Sequence, residues 1–597
     1  MTEVLCLLTA VTISVNPAEI KTEISPNIYG TGLEDVNHEI YGGLDAQRLY
    51  GESFEEPTRF TFAHGVSGAW IKSEEVDGGE FEVDRKIVHQ GKQSQVLEVH
   101  GGIAAIANLG LNGWGVPVQA GKNMRGHLYV RGKVDSLEVG LEDRDGNKTY
   151  AIAKVPVESA DEWRKAEFAL KPNATDAKAR FFIRASGEGK VWIDDVYLAD
   201  APTDEFGKIG CREDIVRAIS EEGVNFLRWG GTMVNTKEYR LKNMRGQGER
   251  RPYEGWWFKY SSGGFGPYEF MRFAAAMKLP SAISISQDET IEDAVAFAEW
   301  TRQFDLPLCI EIGNEECIST FKENTREGYE RYVKNVQRLV PPMRAANGKL
   351  TFASAAIWDD KHLDWMEIAF KGTDGFTEYW DIHLCNKSAE EARGNLDTLK
   401  GVMKFMRGIN PGTKMTIAVF EENAMNHDLS RALATAVTAM AVREMGSEVY
   451  TCCGANALQA YLNNDNWWNQ GQIYFTPDKV WFQTYAWAKQ MGAKYHQPLL
   501  VAGKSDDKAV LVSPTMAKDG KTIVLNLVND SAEAKPIRLK GLEGYALRKV
   551  TELAGPKQSA DNPLSAPDRI RPVEATERFR TEGTIKPYSY TVIVLEK

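Results

Sequence analysis

The chain has 597 residues, of which 43% are hydrophobic and 26% are charged, and its formal net charge at pH 7 is −12. This length predicts several domains, and the composition is that of a folded globular protein rather than a disordered one. The negative net charge argues against nucleic acids and membrane surfaces as partners, because both attract basic proteins.

Residues 1–20 are expected to contribute strands to the C-terminal part of the chain. The apolar stretch at 4–15 is too short to cross a bilayer. It fits either the remnant of a trimmed secretion signal or a first β-strand, and the alternation at 12–15 favours the strand. Residues 21–59 combine a strand at 28–34 with helix-compatible sequence, which predicts one βα unit.

Residues 60–203 contain short alternating runs between Gly, Asp and Asn turns, which predicts an inserted antiparallel β-sandwich. Residues 204–492 alternate apolar strands with longer amphipathic stretches, which is typical of repeated βα units. The strands are predicted at 224–228, 281–286, 308–313, 350–354, 379–384, 415–421 and 449–453. With the strand at 28–34 they make eight, so the predicted fold class is α/β, a (β/α)8 TIM barrel. Residues 493–597 return to short strands and predict a C-terminal β-sandwich.

Polar residues stand at the C-terminal ends of these strands. A charged side chain in a barrel wall is costly unless it lies at the C-terminal mouth, where barrel active sites are built. Any one of these residues could cap a loop, but a set of them on one rim predicts a site. The set is Glu34, Arg228, Ser286, Asn314, Glu315, Ser354, His383, Glu421 and Glu422.

Two carboxylates in this set lie about three βα units apart. Glu315 follows the fourth strand in LCIEIGNEE, and Glu421 ends the seventh strand in TIAVFEEN. Strands placed in this way face each other across the mouth, so their side chains can approach a sugar from opposite sides. Paired carboxylates that flank a glycosidic bond perform its hydrolysis, and their separation decides between retention and inversion of configuration.

These segments resemble glycoside hydrolase family 51, whose characteristic members are α-L-arabinofuranosidases. The resemblance rests on IYGTGLEDVNHEIYGGLDAQRLYGESFE at 28–55, on FLRWGGTMVNTKEYRLKNMRGQGERR at 226–251, on IEIGNE at 310–315, and on the later DIHL and GQIYFT. It spans residues 12–55 and 205–597. GNE alone occurs in many barrel glycosidases, whereas the ordered set of segments is specific.

The resemblance implies roles for individual residues. Glu315 matches the general acid/base, and Glu421 matches the nucleophile that forms a glycosyl-enzyme intermediate. Four further residues match positions that hold the furanose ring or lie beside the nucleophile: Glu34, Arg228, Asn314 and His383. Trp257 and Trp468, in loops after the second and eighth strands, are candidates for stacking on the C–H face of a sugar.

The chain departs from the family pattern at three places around the sugar. Residues 228–232 read Arg-Trp-Gly-Gly-Thr where Arg-aromatic-Pro-Gly-Gly is common, which puts Met233 where a small or polar contact is usual. Glu422 stands where an aromatic residue usually follows the nucleophile, so Glu422 is the alternative to Glu421. The tyrosine that commonly follows the sixth-strand histidine is replaced within Leu384-Cys385-Asn386.

The inserted sandwich resembles carbohydrate-binding modules of the jelly-roll kind through VWIDDVYL at 191–198. A spacer that does not bind sugar is the alternative. Trp70 and Trp114 are candidates either for a stacking platform or for the core. Asp194 and Asp195 are expected to be turn or surface acids rather than calcium ligands.

The expected function is that of a retaining, exo-acting α-L-arabinofuranosidase that acts on plant cell-wall polysaccharides or oligosaccharides by double displacement. The alternatives are an endo-β-1,4-glucanase or xylanase on the same scaffold and a non-catalytic carbohydrate-binding protein. We expect no cofactor and no metal, because no ligand spacing or phosphate-binding glycine loop stands out. The expected partner is the carbohydrate substrate, without nucleic acid or membrane. Oligomerisation stays open, and an extracellular or periplasmic location is favoured over the cytoplasm.

Overall fold

The computed structural model describes residues 10–58, 65–76, 78–157, 161–244, 252–262, 264–317, 324–464 and 467–597. The start of the apolar stretch, at 4–9, and the expected boundary at 59–60 lie outside these residues. No helix within the described ranges is long and apolar enough to cross a membrane.

A closed barrel of eight parallel strands forms the centre of the molecule. In chain order the barrel strands are Asn27–Leu33, Phe226–Trp229, Ser281–Ile285, Leu308–Glu316, Thr351–Ala356, Tyr379–Asp381, Thr416–Asn423 and Val449–Gly454. Each strand pairs in parallel with the next, and the eighth pairs with the first. The predicted (β/α)8 barrel is confirmed.

Helices cover the outside of the barrel because the stretches between the strands are apolar on one face. The α-helices on the barrel are Glu205–Ile209, Glu213–Glu222, Pro267–Met277, Ile291–Thr301, Arg326–Ala346, Leu363–Thr373, Ala389–Ala392, Asn395–Ile409, Leu429–Met445 and Thr484–Lys494. Shorter helical turns occupy Ile40–Leu44, Leu111–Gly113, Thr232–Asn235, Leu241–Asn243 and Gly446–Glu448. The helix Leu429–Met445 is buried almost all round, since it packs on the barrel and on the C-terminal sandwich.

The barrel interior below the mouth is filled by a small apolar cluster. Its buried members are Phe226, Ala282, Cys309, Ala353, Ala418, Phe420 and Cys453. The guanidinium carbon of Arg228 lies 5.9 Å from the centre of the Phe420 ring. This cluster closes the barrel from below, so the polar residues above it form the floor of the mouth.

The inserted region is a seven-stranded antiparallel β-sheet with its own apolar core. Its strands are Trp70–Val76, Gly79–Asp84, Ser94–Asn108, Met124–Glu142, Thr149–Lys154, Arg164–Leu170 and Arg180–Asp200. Trp70 is fully buried, stacks on Phe54 and donates to the carbonyl of Gly51, so it belongs to the core. Asp194 and Asp195 are buried within the strand Arg180–Asp200, so the expectation of turn or surface acids was wrong. The Asp194 carboxylate accepts from the backbone N–H groups of His89 and Gln90.

The C-terminal sandwich receives the first strand of the described chain. Its strands are Val11–Glu23, Leu499–Ser505, Val510–Met516, Thr522–Asn529, Lys535–Lys540, Ala546–Ala554, Val573–Glu574, Thr584–Ile585 and Ser589–Glu596, with a helix at Thr576–Glu582. Val11–Glu23 pairs antiparallel with Leu499–Ser505 and parallel with Lys535–Lys540. Short strands in the loops occupy Pro252–Tyr253, Ser261–Ser262, Leu384–Cys385, Leu458–Ala460, Ile473–Phe475 and Val480–Phe482.

Candidate active site

Arg228, on the second barrel strand, joins three polar residues at the mouth. It is buried, and its Nη1 donates to Glu421 Oε1 at 2.6 Å. Its Nε and Nη2 donate to Glu311 Oε2 at 3.0 and 2.9 Å, and Nη2 also donates to Asn314 Oδ1 at 2.6 Å. One guanidinium therefore fixes the ends of the fourth and seventh strands relative to each other.

His383 lies between the two candidate catalytic carboxylates. Its Nδ1 is 2.8 Å from Glu315 Oε1 and 3.5 Å from Glu421 Oε2, and its Nε2 is 2.7 Å from Asp381 Oδ2. One oxygen of Glu315, one oxygen of Glu421 and one ring nitrogen of His383 all lie within 4.8 Å of one another. The fourth and seventh strands thus bring their two carboxylates to one point of the mouth.

The charges around Glu421 keep its carboxylate ionised. Burial alone would raise the pKa of Glu421, but the positive charges of His383 and Arg228 hold it below its ordinary value. Burial would also raise the pKa of Asp381, which His383 lowers by its charge and its hydrogen bond. Conversely, burial disfavours the charged imidazole, yet Asp381 and Glu421 raise the pKa of His383 well above the usual range. His383 is therefore a cation between anions.

Glu422 lies on the outside of the barrel, away from the mouth. Its Oε1 is 3.1 Å from Arg431 Nη1 and accepts from Thr435 Oγ1 at 3.2 Å, and both partners belong to the helix Leu429–Met445. Arg431 also donates to the backbone carbonyls of Asn423 and Glu422 at 2.8 and 2.6 Å. Glu421 and Glu422, the two alternatives left by the sequence, thus lie on opposite sides of the barrel wall.

Glu34 directly follows the first barrel strand and contacts the loops after the second. Its Oε1 accepts from the backbone N–H of Thr232 and from Trp257 Nε1, both at 2.7 Å. Burial, with the nearby negative charge of Glu421, raises the pKa of Glu34 to about 8. Gly231 has a φ of +120°, and a Cβ at this position would overlap the Glu34 carboxyl group. A glycine is therefore required here.

The backbone turns sharply where the fourth strand ends. Gly313, Glu315 and Cys317 have φ values of +91°, +44° and +72°. For a residue with a side chain this conformation costs about 1–3 kcal/mol and persists only where the surroundings fix it. Asn314 is fully buried in this turn, and its Nδ2 has no hydrogen-bond partner within the described ranges. The turn thus places Glu315 directly after a buried amide group whose Nδ2 is unpaired among the described residues.

Trp257 and Trp468, the two aromatic residues predicted to contact sugar, are connected to the carboxylates in different ways. Trp257 contacts the mouth directly through its bond to Glu34. Trp468 is half-buried in the loop after the eighth strand, and its carbonyl accepts from the backbone N–H of Gln470. Gln470 donates to Asn423 Oδ1 at 3.3 Å, and Asn423 donates to Glu421 Oε2 at 3.0 Å. This loop therefore reaches Glu421 through two amide side chains.

Glu311 and Asp381 also belong to the site, although neither was singled out in the sequence. Glu311 is fully buried, and its Oε2 also accepts from Ser284 Oγ. Burial raises the pKa of Glu311 to about 8. The positive charge of Arg228 opposes this shift, and the negative charge of Asp381 adds to it. The available signal was the charged Glu311 in the apolar run LCIEI, on the same strand face as Glu315. Asp381 carried a similar signal in DIHL.

The paired carboxylates at the mouth of the barrel, together with the relatives described next, identify the chain as a glycoside hydrolase. No protein-family model matches the chain. Alpha-L-arabinofuranosidase 1 of Arabidopsis thaliana is 24% identical, over 96% of this chain and 89% of the relative. An extracellular exo-alpha-L-arabinofuranosidase of Streptomyces chartreusis is 28% identical, over 48% of this chain and 36% of the relative.

A solved structure shares the fold over nearly the whole chain. The arabinose-bound α-L-arabinofuranosidase MgGH51 superposes with a TM-score of 0.79 at 18% identity, and the match covers 98% of this chain and all of that one. At this identity the likeness concerns the fold. Together with the sequence relatives it confirms the resemblance to glycoside hydrolase family 51 that the segments around Glu34, Arg228 and Glu315 carry.

Proposed function

We propose that the protein is a retaining, exo-acting α-L-arabinofuranosidase that removes terminal non-reducing arabinofuranosyl residues from plant cell-wall polysaccharides or oligosaccharides. The observation that carries the proposal is the pair Glu315 and Glu421, whose facing oxygens lie within 4.8 Å of each other. Retaining glycosidases have carboxyl groups about 5–5.5 Å apart, whereas inverting enzymes need about 6.5–9.5 Å to admit a water molecule. The names of the sequence relatives support the choice of sugar.

In the first step Glu421 is the nucleophile. Its ionised carboxylate attacks the anomeric carbon while the bond from that carbon to the leaving oxygen breaks. Glu315 gives its proton to the leaving oxygen, so the alcohol departs neutral. Arg228 and His383 hold Glu421 in place and keep it ionised before the attack. The product of this step is a covalent glycosyl-enzyme.

In the second step Glu315, now a carboxylate, takes a proton from a water molecule. The resulting hydroxide attacks the anomeric carbon from the face that the alcohol left, and the bond to Glu421 breaks. Two displacements at one carbon give net retention of configuration. The side chain of Glu315 is 18% exposed, which leaves it open to the alcohol and to water, whereas that of His383 is 7% exposed.

The neighbouring groups support recognition of a furanose. The free Nδ2 of Asn314 is a donor suited to the sugar 2-OH, a bond that strengthens as positive charge develops on the ring. With a pKa of about 8, Glu34 is protonated at neutral pH and can donate a hydrogen bond to a sugar oxygen. Trp257 holds the Glu34 carboxyl group in position.

The test of this proposal is hydrolysis of an aryl α-L-arabinofuranoside, with the configuration of the first product followed by NMR. Release of the α-furanose first supports the proposal, while release of the β-anomer contradicts retention. Fragmentation of long β-glucan or xylan without aryl arabinofuranoside cleavage would favour an endo-acting enzyme. Unchanged turnover in both Glu315→Ala and Glu421→Ala would remove the catalytic roles assigned to these residues.

We also propose that the protein acts outside the cytoplasm, which is the location that the sequence favours. The relative from Streptomyces chartreusis is described as extracellular. Fractionation of cells that produce the full chain tests it, and recovery only with cytoplasmic markers would contradict it.

A further inference from the structure

Three donor atoms at the mouth form a triangle close to one face of a tetrahedral metal site. Nδ1 of His383 lies 2.8 Å from Glu315 Oε1 and 3.5 Å from Glu421 Oε2, and the two carboxylates approach within 4.8 Å. With bonds of about 2.0–2.1 Å to Zn²⁺, neighbouring ligands of a tetrahedral site lie about 3.3 Å apart. The two distances from His383 already match this value to within about 0.5 Å. Rotation of one carboxylate would shorten the third distance, which separates Glu315 from Glu421.

The imidazole is already oriented as in a metal site. Its Nε2 lies 2.7 Å from Asp381 Oδ2, and Asp381 Oδ1 accepts from the backbone N–H of Phe420 at 2.9 Å. A carboxylate on the far nitrogen of a metal-binding histidine fixes the ring and makes it a better ligand. Asp381 therefore directs Nδ1 of His383 at the two carboxylates.

We propose that Glu315, His383 and Glu421 bind a divalent transition-metal ion of the Zn²⁺ type, and that this ion is a reversible inhibitor competing with the sugar. Two carboxylates and one imidazole suit Zn²⁺, whereas Mg²⁺ and Ca²⁺ prefer oxygen ligands alone. The ion replaces the proton on Nδ1, and its fourth position is left for a water molecule. The inhibitory part of this inference rests on the proposed function.

Inhibition follows from the atoms that the ion occupies. A coordinated Glu421 oxygen cannot attack an anomeric carbon, and a coordinated Glu315 oxygen cannot carry the proton for the leaving oxygen. The second oxygen of Glu421, Oε1, keeps its bond to Arg228, so the ion need not displace the guanidinium. Because the ion and the sugar require the same groups, Zn²⁺ should raise KM more than it lowers kcat.

Two other places on the chain offer metal ligands and supply the controls. His100 is exposed and lies 3.5 Å from Glu98 and 3.9 Å from Glu188. Cys385 is an exposed free thiol two residues after His383. His100→Gln and Cys385→Ser each remove one of these alternatives without touching the three proposed ligands.

The test is calorimetric titration of ZnCl₂ into the metal-free full chain and its variants. We expect one site in the wild type, weakened about 100-fold or more in His383→Gln and Glu315→Gln, and unchanged in His100→Gln and Cys385→Ser. Unchanged binding in both ligand variants, or loss of binding in either control, would overturn the proposal. Thermal unfolding of each variant shows whether it is folded.

Co²⁺ added to the unaltered wild type gives a measurement that depends on no variant. Visible absorption bands of four-coordinate Co²⁺ that disappear on addition of Zn²⁺ support the site, whereas a spectrum of octahedral Co²⁺ alone counts against it. Neither measurement uses turnover, so failure of the proposed activity and failure of the metal site are distinguishable. An active arabinofuranosidase whose KM is unaffected by saturating Zn²⁺ would overturn the competitive inhibition.

Discussion

Arg228 and Glu421 are joined across the mouth by a hydrogen bond of 2.6 Å between the second and seventh barrel strands. The same guanidinium holds Glu311 on its other edge. Both partners are buried, so the ion pair acts in surroundings where charges are weakly screened. Arg228 therefore both holds the Glu421 carboxylate in position and helps to keep it ionised.

Arg228→Lys should therefore lower kcat/KM and shift its acidic limb. A lysine is a single point donor and cannot hold Glu421, Glu311 and Asn314 together. Because positive charge close to Glu421 lowers its pKa, a more distant charge lets that pKa rise, and the acidic limb should move to higher pH. We expect kcat/KM to fall about 100-fold, measured on an aryl arabinofuranoside across pH. Arg217→Lys, at an exposed position, is the control; an unmoved acidic limb in Arg228→Lys would contradict the prediction.

Exchange of each neighbouring glutamate for glutamine should show which of the two is the nucleophile. Glu421→Gln should lower kcat by about 10³-fold or more, and it should also lower the unfolding free energy, because Arg228 and His383 lose a charged partner. Glu422→Gln should keep most of its activity but lose about 1–3 kcal/mol of unfolding free energy, because Arg431 loses its charged partner. Activity assays and urea unfolding of both variants check this. The reverse pattern would assign the nucleophile to Glu422.

The strand pattern alone could not decide between these two glutamates. Ala418 and Phe420 face the barrel interior, so strict alternation would place Glu422 inside and Glu421 outside. The pairing of the seventh with the eighth strand instead shifts register between Val419 and Glu422. Such an irregularity reverses the sides of the residues beyond it. Register shifts depend on the neighbouring strand, which a single segment of sequence does not contain.

The eight strands, by contrast, could be predicted within a few residues of their observed bounds. Each is a short apolar run between amphipathic helices, and this pattern is local. Glu311 and Asp381 were missed for a related reason. A buried carboxyl inside a strand is costly alone, and it becomes reasonable only with partners from other strands, here Arg228 and His383.

Glu34→Gln should change the alkaline side of the pH profile. With a pKa of about 8, Glu34 loses its proton in mildly alkaline solution and becomes a second anion near Glu421. Wild-type kcat/KM should therefore fall as pH rises through about 8, and Glu34→Gln should remain active there because the amide does not ionise. Glu289→Gln is the control, since Glu289 has a raised pKa but binds the Leu241 backbone away from the carboxylate pair. Identical alkaline limbs in wild type and Glu34→Gln would contradict this prediction.

Glu311→Gln should make the unfolding free energy less dependent on pH. Burial raises the pKa of Glu311 from 4.5 to about 8, so between these values the unfolded chain ionises while the folded chain stays protonated. The stability contribution of this group is thus fully present below pH 4.5 and is lost as pH rises towards about 8, by at most about 1.4 kcal/mol per pH unit. Glutamine mimics the protonated carboxyl, so the variant should unfold with a flatter pH dependence and gain stability relative to wild type as pH rises.

Urea unfolding at several pH values measures this pH dependence, with the exposed Glu292→Gln as the control for removal of a carboxylate. A slope in Glu311→Gln equal to that of the wild type would show that Glu311 is already ionised in the folded chain.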